Sequence, residues 1–183
     1  MKWLCLTNNA VCYEDVYSAY EKNLATQGTY GYTRFPGKKT DEGGVSGEVS
    51  FSQGELTDRV REIAGITGAP WRETVTVKNE VSWDADDTAP VEIVFDLKKN
   101  YPVRTIRVWY SEELPAIVVY GSEDNTNWRE LSSSEKITAE EEGCFLREYR
   151  SREGAYRYVK LACGTRDGKK AMTLQEVEIW GEP

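Results

Sequence analysis

VVYGSEDNTNWREL, residues 118–131, carries an apolar strand as far as Gly121, gives way to six polar residues from Ser122 to Asn127, and resumes with Trp128 and Leu131. A hairpin needs only about two to five turn residues. This connection is longer, and a tryptophan closes it. Its Ser, Asp and Asn side chains can satisfy the turn's own backbone, and Trp128 is then expected to fold back so that its apolar area caps one end of a sandwich core.

The pattern extends in both directions from that stretch. VEIVFDL, residues 91–97, places Val91, Ile93, Phe95 and Leu97 on one face in period-2 alternation. VRTIRVWY at 103–110, AIVVYG at 116–121, WREL at 128–131, CFLREYR at 144–150, AYRYVKLAC at 155–163 and TLQEVEIWG at 173–181 follow. Each is short and bounded by polar or Gly-containing turns, which predicts an all-β, antiparallel β-sandwich or jelly roll rather than a parallel α/β sheet. The first half is less regular. Residues 14–25 suit a helical turn or two, or the opening of a first strand at Asn23–Ala25; 37–54 reads as a long loop; and 56–65, with Thr57 or Asp58 as N-cap and Gly65 as stop, suits a short helix. No repeat or second domain is evident.

With 183 residues the chain is long enough for one self-standing core. Its net charge of −8 repels phosphate backbones and anionic headgroups, and no basic run offsets it, so nucleic acid and membrane surfaces are not expected partners. Apolar stretches are far short of the roughly 20 residues that span a bilayer, and none resembles a secretory leader. The chain is therefore expected to be cytosolic, or to come from an extracellular or cell-surface protein whose leader and neighbouring domains lie outside this sequence. Residues 1–22 contain Trp3, Leu4, Leu6, Val11, Tyr13, Val16 and Tyr17, too apolar for a free linker, and are expected to dock on a sandwich spanning 23–183.

There is no histidine, and Cys5, Cys12, Cys144 and Cys163 lack metal-finger spacing, so zinc chemistry is not expected. The cysteines suit either four buried thiols or two disulfides; a hairpin turning near Glu153-Gly154 would set Cys144 opposite Cys163. Acidic clusters such as Asp84, Asp86 and Asp87 or Glu140–Glu142 follow from a count of 31 acidic residues and read as solvated charge rather than catalytic pairs. No nucleophile elbow or phosphate loop is present.

Residues Val119–Trp128 resemble the strand and Ser-Asp-Asp-Gly-x-x-Trp signature of discoidin domains, also called coagulation-factor type C modules. Leu56-Thr57-Asp58 is similar to the family's Leu-Thr-Asp-Gly, Val91–Leu97 to its Asp-Leu-Gly strand, Tyr156–Leu161 to Ala-Arg-Tyr-Val-Arg-Leu, and Leu174–Gly181 to its closing Glu-Ile-x-Val-Tyr-Gly. The five motifs keep the family's order. Three departures stand out: Arg59 and Lys98 occupy positions where glycine is usual, and Asn127 follows Thr126 where a tighter Gly turn is common. Loss of those glycines implies altered turns.

The resemblance implies a galactose-binding-like jelly roll and a noncatalytic carbohydrate-binding module that targets an attached glycan-degrading enzyme to an oligo- or polysaccharide. It also implies a structural Ca2+ held by Asp58 and Glu176, two carboxylates from opposite ends of the chain; the alternative is that Asp58 caps a helix and Glu176 is solvated. Parity marks Glu176 independently. It shares a face with Leu174 while Val177 and Ile179 point the other way, so it has an unusual environment or a bulge intervenes.

A sugar site needs an aromatic platform flanked by groups that hydrogen-bond hydroxyls. Candidates are Trp71 as platform, with Arg72 and Glu73; Asp84 and Asp86 after Trp83; Tyr110 with Glu112 and Glu113; and Arg166, Asp167 and Lys169. Trp71 equally suits a buried position, and Trp83, by the resemblance, a core one. The rival expectations are a protein-interaction or adhesion module of a multidomain extracellular protein, which would bind neighbouring domains, and a phospholipid-binding module, against which the charge of −8 argues.

Overall fold

The computed structural model describes residues 21–34, 36, 55–60, 62–66, 74–78, 80–83, 90–111, 114–141, 144–164 and 171–183, with backbone alone for 62–66, 74–78, 132–141 and 144. In chain order the described strands are β1 Lys22–Asn23, β2 Thr29–Tyr32, β3 Glu62–Ile66, β4 Thr74–Lys78, β5 Val81–Trp83 and β6 Val91–Tyr110, then β7 Ile117–Ser122, β8 Arg129–Glu130, β9 Ser132–Glu141, β10 Cys144–Ser151, β11 Ala155–Cys163 and β12 Met172–Gly181. A 3-10 turn over Leu24–Gln27 follows β1. All pairings are antiparallel.

Strand β6 organises the sandwich because its two halves serve different layers. Its first half pairs with β2 and β11, and β11 passes on to β7 and β8. Its second half lies between β12 and β10; β12 carries β1 and β5 along its far edge, and β10 carries β9. β3 and β4 form a separate two-stranded ribbon. The predicted alternation holds: Val91, Ile93, Phe95 and Leu97 are all buried. They join Val159 and Leu161 of the same layer, and Ile106, Val108, Val177 and Ile179 of the other, in one core cluster. Non-directional burial of these faces against each other is the main stabilising term.

Asn23 fastens the start of the sandwich. Its Oδ1 accepts from the Ala25 N–H at 3.2 Å and from the Ile179 N–H at 3.0 Å, so one buried side chain caps the 3-10 turn and holds it on β12. Residues 1–20 and 37–54 lie outside the described residues.

The predicted turn at Glu153-Gly154 does not make a hairpin. β10 and β11 do not pair; they lie in opposite layers, each against β6, and the chain crosses between layers at residues 152–154. Cys163 is a free, buried thiol, its pKa pushed up to about 12 by that burial. The helix expected over 56–65 is also absent. Asp58 spends its side chain on a local turn, Oδ1 accepting from the Val60 N–H at 2.9 Å. Arg59 has φ 64°, and residues 62–66 pair with β4 as a strand.

The missing glycines do not alter the backbone at two of the three positions. Arg59 and Lys98 adopt φ 64° and 73°, the left-handed conformation that glycine would take without steric cost, and Asn125 supplies the left-handed residue of the 122–128 turn at φ 62°. Asp96 supports the Lys98 turn by accepting its N–H at 2.8 Å. Arg59→Gly is expected to raise stability by about 1 kcal/mol, read as a higher denaturant midpoint with unchanged slope.

Candidate functional site

The strand register gathers several loop-bearing ends at one pole. Val91 faces Cys163, which in turn faces Ile117; Tyr110 lies between Leu174 and Phe145; and Trp83 faces Met172. Arg147 ties the layers there, donating from Nη1 to the Pro115 carbonyl at 2.9 Å with its guanidinium 5.6 Å from the centre of the Tyr110 ring. Trp83 ties them again: its indole N–H donates to the Arg34 carbonyl at 2.9 Å and its ring meets Tyr32 edge-on at 5.2 Å. Trp83 is a core residue, 2% exposed.

Tyr110 is also in the core, 5% exposed and stacked on Phe145 at 5.5 Å, so it braces this pole rather than presenting a platform. Asp84, Arg166 and Asp167 lie outside the described residues, as do Asp86, Glu112, Glu113, Lys169 and the trio Trp71, Arg72 and Glu73. The strand ends that flank Asp84, Glu112 and Arg166 in sequence all belong to this pole.

The second constellation joins the 55–60 segment to β12. The Leu56 carbonyl accepts from the Val177 N–H at 2.7 Å, and the Leu56 N–H donates to the Tyr30 hydroxyl at 3.0 Å, so Leu56 is clamped between the layers and fully buried. That clamp sets the Asp58 carboxyl near enough to Glu176 for its charge to act on it. The register shifts between Leu174 and Glu176, the bulge that parity anticipates; Leu174, Val177 and Ile179 all reach the core and Glu176 turns toward the 55–60 segment.

Glu176 is 1% exposed. One carboxyl oxygen, Oε2, accepts the Arg59 N–H at 3.2 Å, while Oε1 is buried with no hydrogen-bond partner among the described residues. Burial, reinforced by the neighbouring Asp58 charge and opposed by the Arg59 N–H, pushes its pKa up to about 9. Two facing carboxyls with an orphaned oxygen fit a hard cation, whose charge would reverse that desolvation cost. Among the described residues no three Asp, Glu, Cys or His side chains cluster. Among the described residues, a calcium ion here would have these two carboxylates, with carbonyl or water oxygens available for more of its six to eight ligands.

Sequence reasoning missed one feature. Trp128 does not cap the core; it is partly exposed and lines an open cleft at the opposite pole. The signal was available in its neighbours, since Asn127 and Arg129 make this segment polar on both sides of the indole.

Compared with solved structures, the chain is similar to the module CpGH89CBM32-6 of Clostridium perfringens, at 13% identity and TM-score 0.54 over 87% of this chain and 99% of that one. It is similar also to an F-lectin (fucolectin) from striped bass, Morone saxatilis, serum, at 16% identity and TM-score 0.55 over 88% of this chain and 48% of that one. The chain has the discoidin-like, galactose-binding fold. A third discoidin-like structure, CpGH89CBM32-5 of Clostridium perfringens, was solved in complex with GalNAc-β-1,3-galactose and is similar at 14% identity and TM-score 0.51 over 86% of this chain and 97% of that one. No family model matches the chain, and no curated protein matches it.

Proposed function

We propose that this discoidin-like sandwich is a noncatalytic carbohydrate-binding module, part of an extracellular or cell-surface protein, that holds an attached glycan-degrading enzyme near its substrate. The observation that carries this reading is the gathering, at one pole, of the strand ends flanking Asp84, Glu112 and Arg166. Loops on a rigid sandwich pole suit weak recognition of a neutral polyol: an aromatic platform, with Trp71 in that role, takes the C–H face of a pyranose while Arg, Asp and Glu side chains take its hydroxyls. The GalNAc-β-1,3-galactose complex of a similar fold supports a saccharide as the class of ligand. One small wet site of this kind gives affinities in the range of about −4 to −8 kcal/mol, so function would depend on tethering to raise the effective concentration.

The same proposal includes a structural Ca2+ between Asp58 and Glu176. Its role is to close the 55–60 segment onto β12, not to take part in a reaction. The orphaned Glu176 oxygen supports it.

The test is titration of the full chain with GalNAc-β-1,3-galactose, lactose and neutral glucan oligosaccharides by calorimetry, with Trp71→Ala as control. Saturable binding at millimolar or lower concentration, weakened about tenfold or more by W71A (about 1.4 kcal/mol), supports the reading. Binding of none of these sugars, alongside tight association with a neighbouring domain, moves the assignment to an interaction module.

A further inference from the structure

The pole opposite the loop-bearing one carries a cleft of about 510 Å3 whose lining comes from the 121–129 turn and from residues 154–156. That volume lies within the roughly 300–1,000 Å3 of small-molecule sites. Six-residue β7 separates the two poles, about 17 Å of strand, so the cleft is not an extension of the loops discussed above.

Three features make it more than a surface dent. Its floor is preset. Gly121 and Gly154 have no room for a Cβ because the Tyr156 ring lies against both, and Gly154 has φ 152°, which a side chain would strain. Its rim is stiff as well. Asp124 Oδ1 accepts from the Thr126 and Asn127 N–H groups, each at 2.8 Å, and from the Ser122 hydroxyl at 3.0 Å, while Oδ2 accepts the Asn127 amide at 2.7 Å. These bonds, that from the Asn127 N–H foremost, hold the Asp124 carboxyl well below the usual carboxylate range.

The third feature is an oriented indole beside unspent charges. Lys160 Nζ sits 4.6 Å from the centre of the Trp128 ring while paired to Glu92 at 3.2 Å, which occupies one indole face and fixes the ring's attitude. Glu123 and Arg129 line the same cleft, both exposed and, among the described residues, engaged in no ion pair or side-chain hydrogen bond. Their opposite charges balance. A neutral ligand with hydroxyls along its rim and an apolar face satisfies both at once, whereas an anion would meet Glu123 and Asp124 and a cation would meet Arg129.

We propose that this cleft is a second saccharide-binding site, in which Trp128 offers the apolar contact and Glu123, Arg129 and the Asn127 side-chain carbonyl hydrogen-bond sugar hydroxyls. It rests on the carbohydrate-binding reading above and extends it: with sites at opposite poles, one molecule grips two separate glycan segments rather than one. Binding to a polysaccharide then gains from avidity in a way that binding to a disaccharide does not.

Amide chemical-shift mapping of the full chain with GalNAc-β-1,3-galactose, lactose and neutral glucan oligosaccharides tests this. The expected result is a set of saturating shifts over residues 122–129 and 154–156, weakened at least tenfold by Arg129→Ala and by Glu123→Gln, alongside an independent set at the loop-bearing pole that neither variant changes. Both substitutions are on exposed side chains, so loss of fold does not confuse them. Shifts at the loop-bearing pole alone overturn the cleft and leave the carbohydrate reading standing. Shifts nowhere overturn both.

Discussion

Metal-free protein is expected to lose stability as the pH rises from about 5 to 9 and to regain it when calcium is added, and Glu176→Gln is expected to abolish both effects. The sign follows from one carboxyl. Glu176 titrates near 4.5 as a free side chain and at about 9 in the folded protein, because burial and the Asp58 charge disfavour its ionised form. Between those values the native state holds a proton that the unfolded state has lost, so stability is fully present below the lower value and falls as pH climbs through the window. Calcium needs the ionised carboxylate. It displaces the proton, binds more tightly as pH rises, and flattens the profile.

At a free calcium concentration 100 times the dissociation constant the added stability is about 2.7 kcal/mol, or roughly 5–10 °C in melting temperature for a domain of this size. Glutamine keeps the neutral form's shape and cannot ionise. Chelated E176Q is therefore expected to show no stability loss over this pH range and no response to calcium. Thermal melts of both proteins at pH 5, 7 and 9, with chelator or calcium, give the answer; a wild-type melt indifferent to calcium at every pH would remove the metal.

Phe95→Ala is the other large effect, about 3–5 kcal/mol of destabilisation. Phe95 is 1% exposed at the middle of the buried run of β6, faces Val159 and Tyr30 on its two neighbouring strands, and its ring lies 5.6 Å from the Tyr30 ring. Because β6 is shared by both layers, a cavity there cannot be closed by one layer shifting without dragging the other. The Tyr30 ring loses its neighbour too, and through the Tyr30–Leu56 hydrogen bond the 55–60 segment that carries Asp58 is loosened. Calcium affinity and core packing are thus expected to fall together in F95A. A midpoint loss under 1 kcal/mol in chemical denaturation would contradict the single shared core.

Strand positions in the second half of the chain were legible because alternation is enforced wherever one face is buried: the runs beginning at Val91, Val103, Ala155 and Thr173 reappear as strands. β9 was not legible. Ser132–Glu141 reads SSSEKITAEE, with Ile137 and Ala139 its only apolar residues and hence no alternation to mark it, and among the described residues it pairs with β10 alone. Which strands neighbour each other was also hidden. A sequence turn at Glu153-Gly154 looks the same whether the chain doubles back in one layer or crosses to the other, and the crossing is decided by β6 offering edges in both layers.

At the site, parity at Glu176 pointed to the bulge, since a carboxylate in step with Leu174 while Val177 and Ile179 fall on the other parity has few structural solutions. Arg59 and Lys98 misled, because left-handed backbone is inferred from glycine and here the turn's hydrogen bonds hold larger residues in it. Trp128 misled in the opposite direction: tryptophan is so often buried that its polar neighbours were given too little weight.

The measurement that tests the central claim most directly is a glycan array probed with the intact chain, followed by product analysis of every glycan retained. Reversible retention of neutral glycans, with each recovered chemically unchanged, is the predicted result. Retention of none of them, or release of shortened glycans by this chain alone, would contradict the account.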